Sequence, residues 1–248
     1  LLKIQNTQAL GAEVVLAGEN YDEAFAHAQS LVAAEGRVYI PAFEDPHVIA
    51  GQGVTALELL EQLPDADFIV SSMGGGGLMT GMATVYSALS SSTKLIGVQA
   101  SGAPSLVRSI RAGSLVSSGP ANTFADGIAV GSASETMRDL LTSKLHRLVE
   151  VDDETTAAAV LTLLERGKTV TEGSAAITLG ALDQIRDEIR GKKVVLVISG
   201  GNIDVNVLSR IIDRGMIRKG RRLRMNVIIS DRPGSLAKLT QLLAQKEA

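Results

Sequence analysis

The chain has 248 residues, 45% of them hydrophobic and 21% charged, with a formal net charge of −3. That length supports one large domain or two small ones around a substantial core, and so weak a negative balance offers nothing to a nucleic acid. Cysteine is absent, which excludes a disulfide framework, thiolate catalysis and thiolate metal sites. Aromatic residues are only 3% and tryptophan is missing, so Ala, Val, Leu and Ile must build the core, a palette that suits α/β layers.

The N-terminus, Leu1-Leu2-Lys3-Ile4, has no basic region followed by an apolar one and is not a signal peptide; without a methionine it reads as starting mid-protein. No apolar run reaches about 18 residues, so no membrane span is expected. His27, His47 and His146 are scattered without ligand spacing and read as surface or half-buried residues.

Strand and helix patterns alternate, which predicts an open parallel sheet with helices on both faces. Residues 2–10 read as a helix stopping at Gly11, and Glu13 to Ala17 as a strand. Asn20 with Glu23 resembles a capping box that opens a helix ending at Gly36. Val38 to Ile40 reads as a short strand. A helix over 47–63 carries Gly51 and Gly53, which suggest close backbone approach. Strand 68–71, a glycine loop, helix 78–89 and strand 94–98 follow. A helix over 104–112 leads to an exposed Ser/Gly/Pro-rich loop at 113–120. Next come helix 134–143, strand 147–151, helix 153–167 capped by Asp152 or Asp153, helix 173–189 and strand 194–198. From 214 to 222 the sequence reads as a basic, solvated linker. Leu223 to Ser230 then alternates as a strand, and Asp231-Arg232-Pro233-Gly234 turns into a helix. One strand and one helix cannot bury a core, so this last piece reads as cut short.

Two strands end in glycine clusters. Gly74-Gly75-Gly76-Gly77 follows Phe68–Met73 and precedes Leu78-Met79-Thr80-Gly81. Backbone without side chains lets several N–H groups converge at a helix N-terminus, a combination that holds a phosphate. The spacing fits neither the dinucleotide fingerprint nor the nucleotide P-loop. Ser199-Gly200-Gly201-Asn202 ends the other strand. In open α/β sheets ligands lie beyond the C-terminal strand ends, so both tips can face one ligand.

These motifs resemble a known family. Ser72–Gly81, Asp45–Gly53, Ala125-Asp126-Gly127, Val170-Thr171-Glu172-Gly173 and Ser199–Asp204 look like, and follow the order of, motifs in fold-type II pyridoxal-phosphate enzymes of the threonine/serine ammonia-lyase branch. The resemblance covers residues 1 to about 213. The tail through Asp231–Leu236 resembles the opening of an ACT domain. The implied fold is tryptophan-synthase-β-like. The implied division is a small-domain remnant at 1–44, a large cofactor domain at 45–213, the linker at 214–222 and an incomplete ACT-like tail at 223–248.

The same resemblance implies pyridoxal 5'-phosphate as cofactor, an amino-acid substrate, homo-oligomerisation, a cytoplasmic setting and an amino-acid effector at a complete ACT domain. It places Gly74, Gly75, Gly76, Gly77 and the Leu78 amide on the phosphate, and Ser199 on the pyridine nitrogen. It sets Glu172 near the ring, where the residue reads equally as a helix-start carboxylate favoured by the dipole. Asp126 reads equally as a site residue or as half of a turn. The family's Schiff-base lysine motif has no counterpart here, so no catalytic residue is carried over and the chain alone is expected to be inactive. Where some relatives bind a cation, this chain has Gln99, the Ala103 carbonyl and Ser105, and the metal is not carried over. The activity implied is deamination of threonine, and of serine, by loss of water. A serine-racemase-like enzyme and a non-catalytic regulatory protein binding a phosphorylated ligand stay open as alternatives.

Overall fold

The computed structural model describes residues 2–19, 21–89, 92–223 and 225–245. It divides into two units, residues 1–211 and 212–248. Four parallel strands form the sheet of the first unit: β1 (Phe68–Ser72), β2 (Lys94–Ala100), β3 (Arg147–Val151) and β4 (Val194–Leu196), in the order β3-β2-β1-β4. Phe68 pairs with Lys94 and with Val194, and Val98 with Val149.

The helices are α1 (Leu2–Ala9), α2 (Tyr21–Glu35), α3 (Pro46–Gln62), α4 (Gly77–Ala88), α5 (Ser105–Ala112), α6 (Glu135–Thr142), α7 (Asp153–Thr162), α8 (Gly173–Gly180), α9 (Leu182–Ile189), α10 (Val205–Arg218) and α11 (Ser235–Gln245). None is long and apolar enough to cross a membrane.

Strand side chains alternate between two cores, as the period of two requires. Ile69 and Leu95 pack with Ala56 of α3, Met79, Met82 and Ala83 of α4, and Met137 of α6. Phe68, Val70, Ile96 and Val98 face Ile177 of α8 and Ile185 of α9. Both faces are therefore covered, and every residue of β1 is buried, including Ser71 and Ser72.

Backbone approach is closest between α3 and α4. A Cβ on Gly81 would lie 2.4 Å from the Ile49 carbonyl oxygen and 2.6 Å from the Gly53 nitrogen, and one on Gly53 would lie 3.2 Å from the Gly81 carbonyl. The expectation for Gly53 holds. That for Gly51 does not: it is exposed, and a Cβ there would meet nothing within 4 Å.

Caps fix the helix starts. Asp45 accepts from the His47 and Val48 N–H groups at 2.8 and 3.2 Å, with Pro46 opening α3. Asp152, not Asp153, caps α7, accepting from the Thr155 N–H at 2.7 Å. That bond holds the Asp152 carboxyl below the usual aspartate range. Its folded value lies below its unfolded one, so its stabilisation is complete above about pH 4 and is lost as pH falls through the lowered value. Asp152→Ala should cost about 1 kcal/mol at neutral pH. In urea titrations the gap between variant and wild type should close below about pH 4. A gap unchanged at pH 3 would show that the carboxylate is not what stabilises the start of α7.

Several expectations need correction. Residues 13–17 and 38–40 form no strand: Leu16 is 73% and Val38 84% exposed, and neither segment has a pairing partner. Of the expected capping box at 20–23, Asn20 lies outside the described residues; the Glu23 carboxylate accepts from the Glu19 N–H at 2.9 Å. The expected helix over 153–167 finishes as a π turn at Leu163–Gly167, with Lys168 left-handed at φ 54°. The expected helix over 173–189 is two helices joined at Ala181. The last strand stops at Leu196 rather than 198, and α10 occupies much of the stretch read as linker. In the second unit 225–230 runs without strand pairing, while α11 follows the turn as expected.

Candidate functional site

β1 delivers the chain to the glycine loop at its C-terminal end, and Gly76 at φ 100° starts α4. Only glycine adopts that conformation freely. The neighbours press in closely. A Cβ on Gly75 would fall 2.4 Å from the Phe43 ring, one on Gly77 would fall 3.0 Å from the Phe43 carbonyl oxygen, and one on Gly74 would fall 2.9 Å from Ile128 Cα. The loop is thus clamped between the segment before α3 and the short 3-10 turn Asp126–Ile128. Gln99, fully buried on β2, ties it from behind. Its Oε1 accepts from the Val107 N–H at 2.9 Å, and its Nε2 donates to the Gly74 carbonyl at 3.3 Å.

A cavity of about 320 Å³ opens on this loop. All four glycines, Leu78, Glu172 and Ser199 line it, so every expected cofactor contact meets in one space. Ser199 arrives on the loop after β4, next to β1 in the sheet, as the topology requires. The Glu172 carboxylate is wedged between two glycines. A Cβ on Gly200 would lie 2.4 Å from its Oε1, and one on Gly127 would lie 3.4 Å away. Glu172 occupies the cap position of α8 but makes no capping bond with its side chain. Its backbone N–H donates to the Gly200 carbonyl at 3.2 Å, which joins the two loops. Asp126 is at once a turn residue and a cavity residue; its Oδ2 accepts from Lys3 Nζ at 2.7 Å, and this bond raises the Lys3 pKa.

Gln99 and Ser105 do not point at a common ligand. Ser105 Oγ donates to the Val130 carbonyl at 2.9 Å. Among the described residues no three His, Asp or Glu side chains gather as a metal-binding group.

Residue patterns gave no warning of Phe43, Gln52 or Ser174, all of which line the cavity. Phe43 also lines a second, more apolar cavity of about 380 Å³ with Phe25 and Tyr39, so Phe43 and Val130 border both spaces.

A family model described as pyridoxal-phosphate dependent enzyme matches residues 2–200. The chain is 41% identical over 245 residues to an L-threonine ammonia-lyase of Thermotoga maritima, covering 99% of this chain and 61% of that protein. It is 39% identical over 246 residues to an L-threonine ammonia-lyase of Geobacter sulfurreducens, with the same coverages. The chain therefore spans about three-fifths of the length of these relatives. Among solved structures, the processed form of threonine deaminase isoform 2 from Solanum lycopersicum superposes with a TM-score of 0.80 at 33% identity, covering 87% of this chain and 60% of that one. Maize serine racemase superposes with a TM-score of 0.77 at 25% identity, covering 86% and 68%. With the glycine loop, Glu172 and Ser199 meeting around one cavity inside the matched span, the chain belongs to the pyridoxal-phosphate dependent enzymes.

Proposed function

We propose that the protein deaminates L-threonine, and L-serine as a second substrate, by eliminating the β-hydroxyl as water. The products are 2-oxobutanoate, or pyruvate from serine, and ammonia. The observation that carries this reading is the convergence of Gly74–Gly77, Glu172 and Ser199 on one cavity, in a chain whose relatives at 41% and 39% identity are L-threonine ammonia-lyases.

The residues present fit pyridoxal 5'-phosphate. The cradle at Gly74–Gly77 admits no Cβ without displacing Phe43, Ile128 or Leu106, and it faces the N-terminus of a 12-residue helix. That is a site for an anion held by backbone N–H groups, here the phosphate, with the Leu78 amide among them. When bound, the cofactor supplies an electron sink for the substrate's α-carbon. Ser199 offers the ring nitrogen a neutral hydroxyl, which donates to an unprotonated nitrogen, whereas a carboxylate there would demand a protonated one. A tempered sink favours loss of a β-leaving group over transamination. Glu172 sets a fixed carboxylate beside the ring.

We further assign residues 1–44 to the small domain, 45–213 to the large cofactor domain and 223–248 to an ACT-like, effector-binding module. In this reading the enzyme is a cytoplasmic homo-oligomer.

The test is product formation by the chain expressed within its full reading frame. We expect 2-oxobutanoate from threonine. Cofactor binding with turnover of neither threonine nor serine would support a regulatory protein instead, and interconversion of serine enantiomers ahead of deamination would support a racemase. Among the described residues no lysine lines the cavity, so residues 1–248 alone should give no turnover. Borohydride reduction with the cofactor, followed by peptide mapping, should find no stoichiometric lysine adduct. Such an adduct on Lys3 or Lys168, accompanied by turnover, would refute that assignment.

A further inference from the structure

One hydrogen bond joins two of the walls around the glycine loop. Ser134 Oγ donates to Glu44 Oε1 at 2.6 Å, across 90 residues of chain. Glu44 sits between Phe43 and Asp45, the cap of α3. Ser134 is the cap of α6, and its Oγ also accepts from the Met137 N–H at 3.3 Å. One hydroxyl can do both, since it carries a donor and two acceptor sites. Among the described residues the Glu44 carboxylate has no other partner.

Each end of that bond bears on the loop. On one side, a Cβ on Gly75 would fall 2.4 Å from the Phe43 ring, and one on Gly77 would fall 3.0 Å from the Phe43 carbonyl oxygen. On the other, a Cβ on Gly76 would fall 3.4 Å from Met137 Cβ. Met137 Sδ also accepts from Thr80 Oγ1 at 3.3 Å, near the start of α4. Phe43 lies in irregular chain, outside any helix or strand. Its C-terminal side is anchored twice, by the Asp45 cap to α3 and by the Glu44 bond to α6. A loop already held in its binding shape loses little freedom when its ligand arrives.

We infer that Glu44 is a positioning residue for the phosphate cradle: by accepting from Ser134 it latches the segment before α3 to α6, which holds Phe43 down on Gly75 and keeps the loop shaped for an anion. The inference rests on the proposed cofactor site and names what shapes it.

The test titrates inorganic phosphate and, separately, pyridoxal 5'-phosphate into the apo-protein expressed within its full reading frame. Binding is read by the shift in thermal unfolding and, for the cofactor, by absorbance. Glu44→Ala leaves the α6 cap in place and should weaken both ligands by roughly fivefold, the scale of one part-exposed hydrogen bond to a charged group. Glu44→Gln keeps an oxygen for Ser134 and should bind as the wild type does. Ser134→Asp keeps the cap but sets a second carboxylate against Glu44, and should lose at least as much as Glu44→Ala. Ser134→Asn both caps and donates, and should retain binding. Phe43→Ala should lose affinity as well, and adding Glu44→Ala to it should cost nothing further, because the latch works through Phe43. A merely structural bond would lower stability and give additive losses of affinity. Additive losses would overturn the inference, as would unchanged affinity for both ligands in Glu44→Ala while Gly75→Asp binds neither; both results leave the site standing. Unchanged affinity in Gly75→Asp would overturn the site itself.

Discussion

Gly75→Asp should abolish binding of pyridoxal 5'-phosphate. The substitution acts twice. Its Cβ falls 2.4 Å from the Phe43 ring, so the ring must swing away. Its carboxylate then faces the position of an anion in the cavity. Two like charges about 4 Å apart cost roughly 4 kcal/mol at an effective dielectric near 20, or close to a thousandfold in affinity. Gly75→Ala separates the two effects. It displaces the ring without adding charge and should lose about tenfold or less. Cofactor titration of both apo-proteins checks the pair, and equal losses would mean that Phe43, not the anion, dominates the site.

Gly81→Ala should be the most damaging small substitution in the helix layer. The new methyl meets the Ile49 carbonyl oxygen and the Gly53 nitrogen, which are backbone atoms and cannot rotate aside. α3 and α4 must separate, at a cost of about 1–3 kcal/mol after any gain in helix propensity. For a unit of this size that is a fall of roughly 3–10 °C in Tm. Gly51→Ala, in the helix that contacts it, should do the reverse. It is exposed with nothing within 4 Å, so the methyl only reduces the freedom of the unfolded chain, a gain of about 0.5–1 kcal/mol. Thermal unfolding of the two variants should move in opposite directions. A stabilised Gly81→Ala would show that the helices pack less tightly than their backbones indicate.

The sheet was legible where two signals coincided. β1 and β2 carry apolar runs, β3 alternates as Arg147-Leu148-Val149-Glu150-Val151, and α3 announces itself with Asp45-Pro46. Residues 13–17 and 38–40 carried only half of a strand's signal. Val14, Val15, Val38 and Ile40 have strand-type side chains, but strand formation needs a neighbouring edge, and pairing is a tertiary property. α10 was hidden for the opposite reason. Val207, Leu208 and Ile211 recur at helical spacing and are at least half-buried, but the basic residues that follow drew the reading towards a linker. The site divides the same way. Glycines at strand tips name themselves, because Gly76 is left-handed and a Cβ on its neighbours would strike Ile128 or Phe43. Phe43 and Gln99 do not, since their roles exist only once distant segments fold against the glycine loop.

Gln99 sets a condition on anyone who would move this loop elsewhere. The one amide is fully committed, its oxygen to α5 and its nitrogen to the Gly74 carbonyl. A carboxylate of the same size would offer that carbonyl no donor, and a leucine would strand both backbone groups. Grafting Ser72–Gly81 onto another strand–helix junction would therefore transfer the letters without the shape. The transplantable unit is the loop together with the adjacent strand and the first turn of the helix behind it, so a designer must carry over three successive elements of the chain to move one.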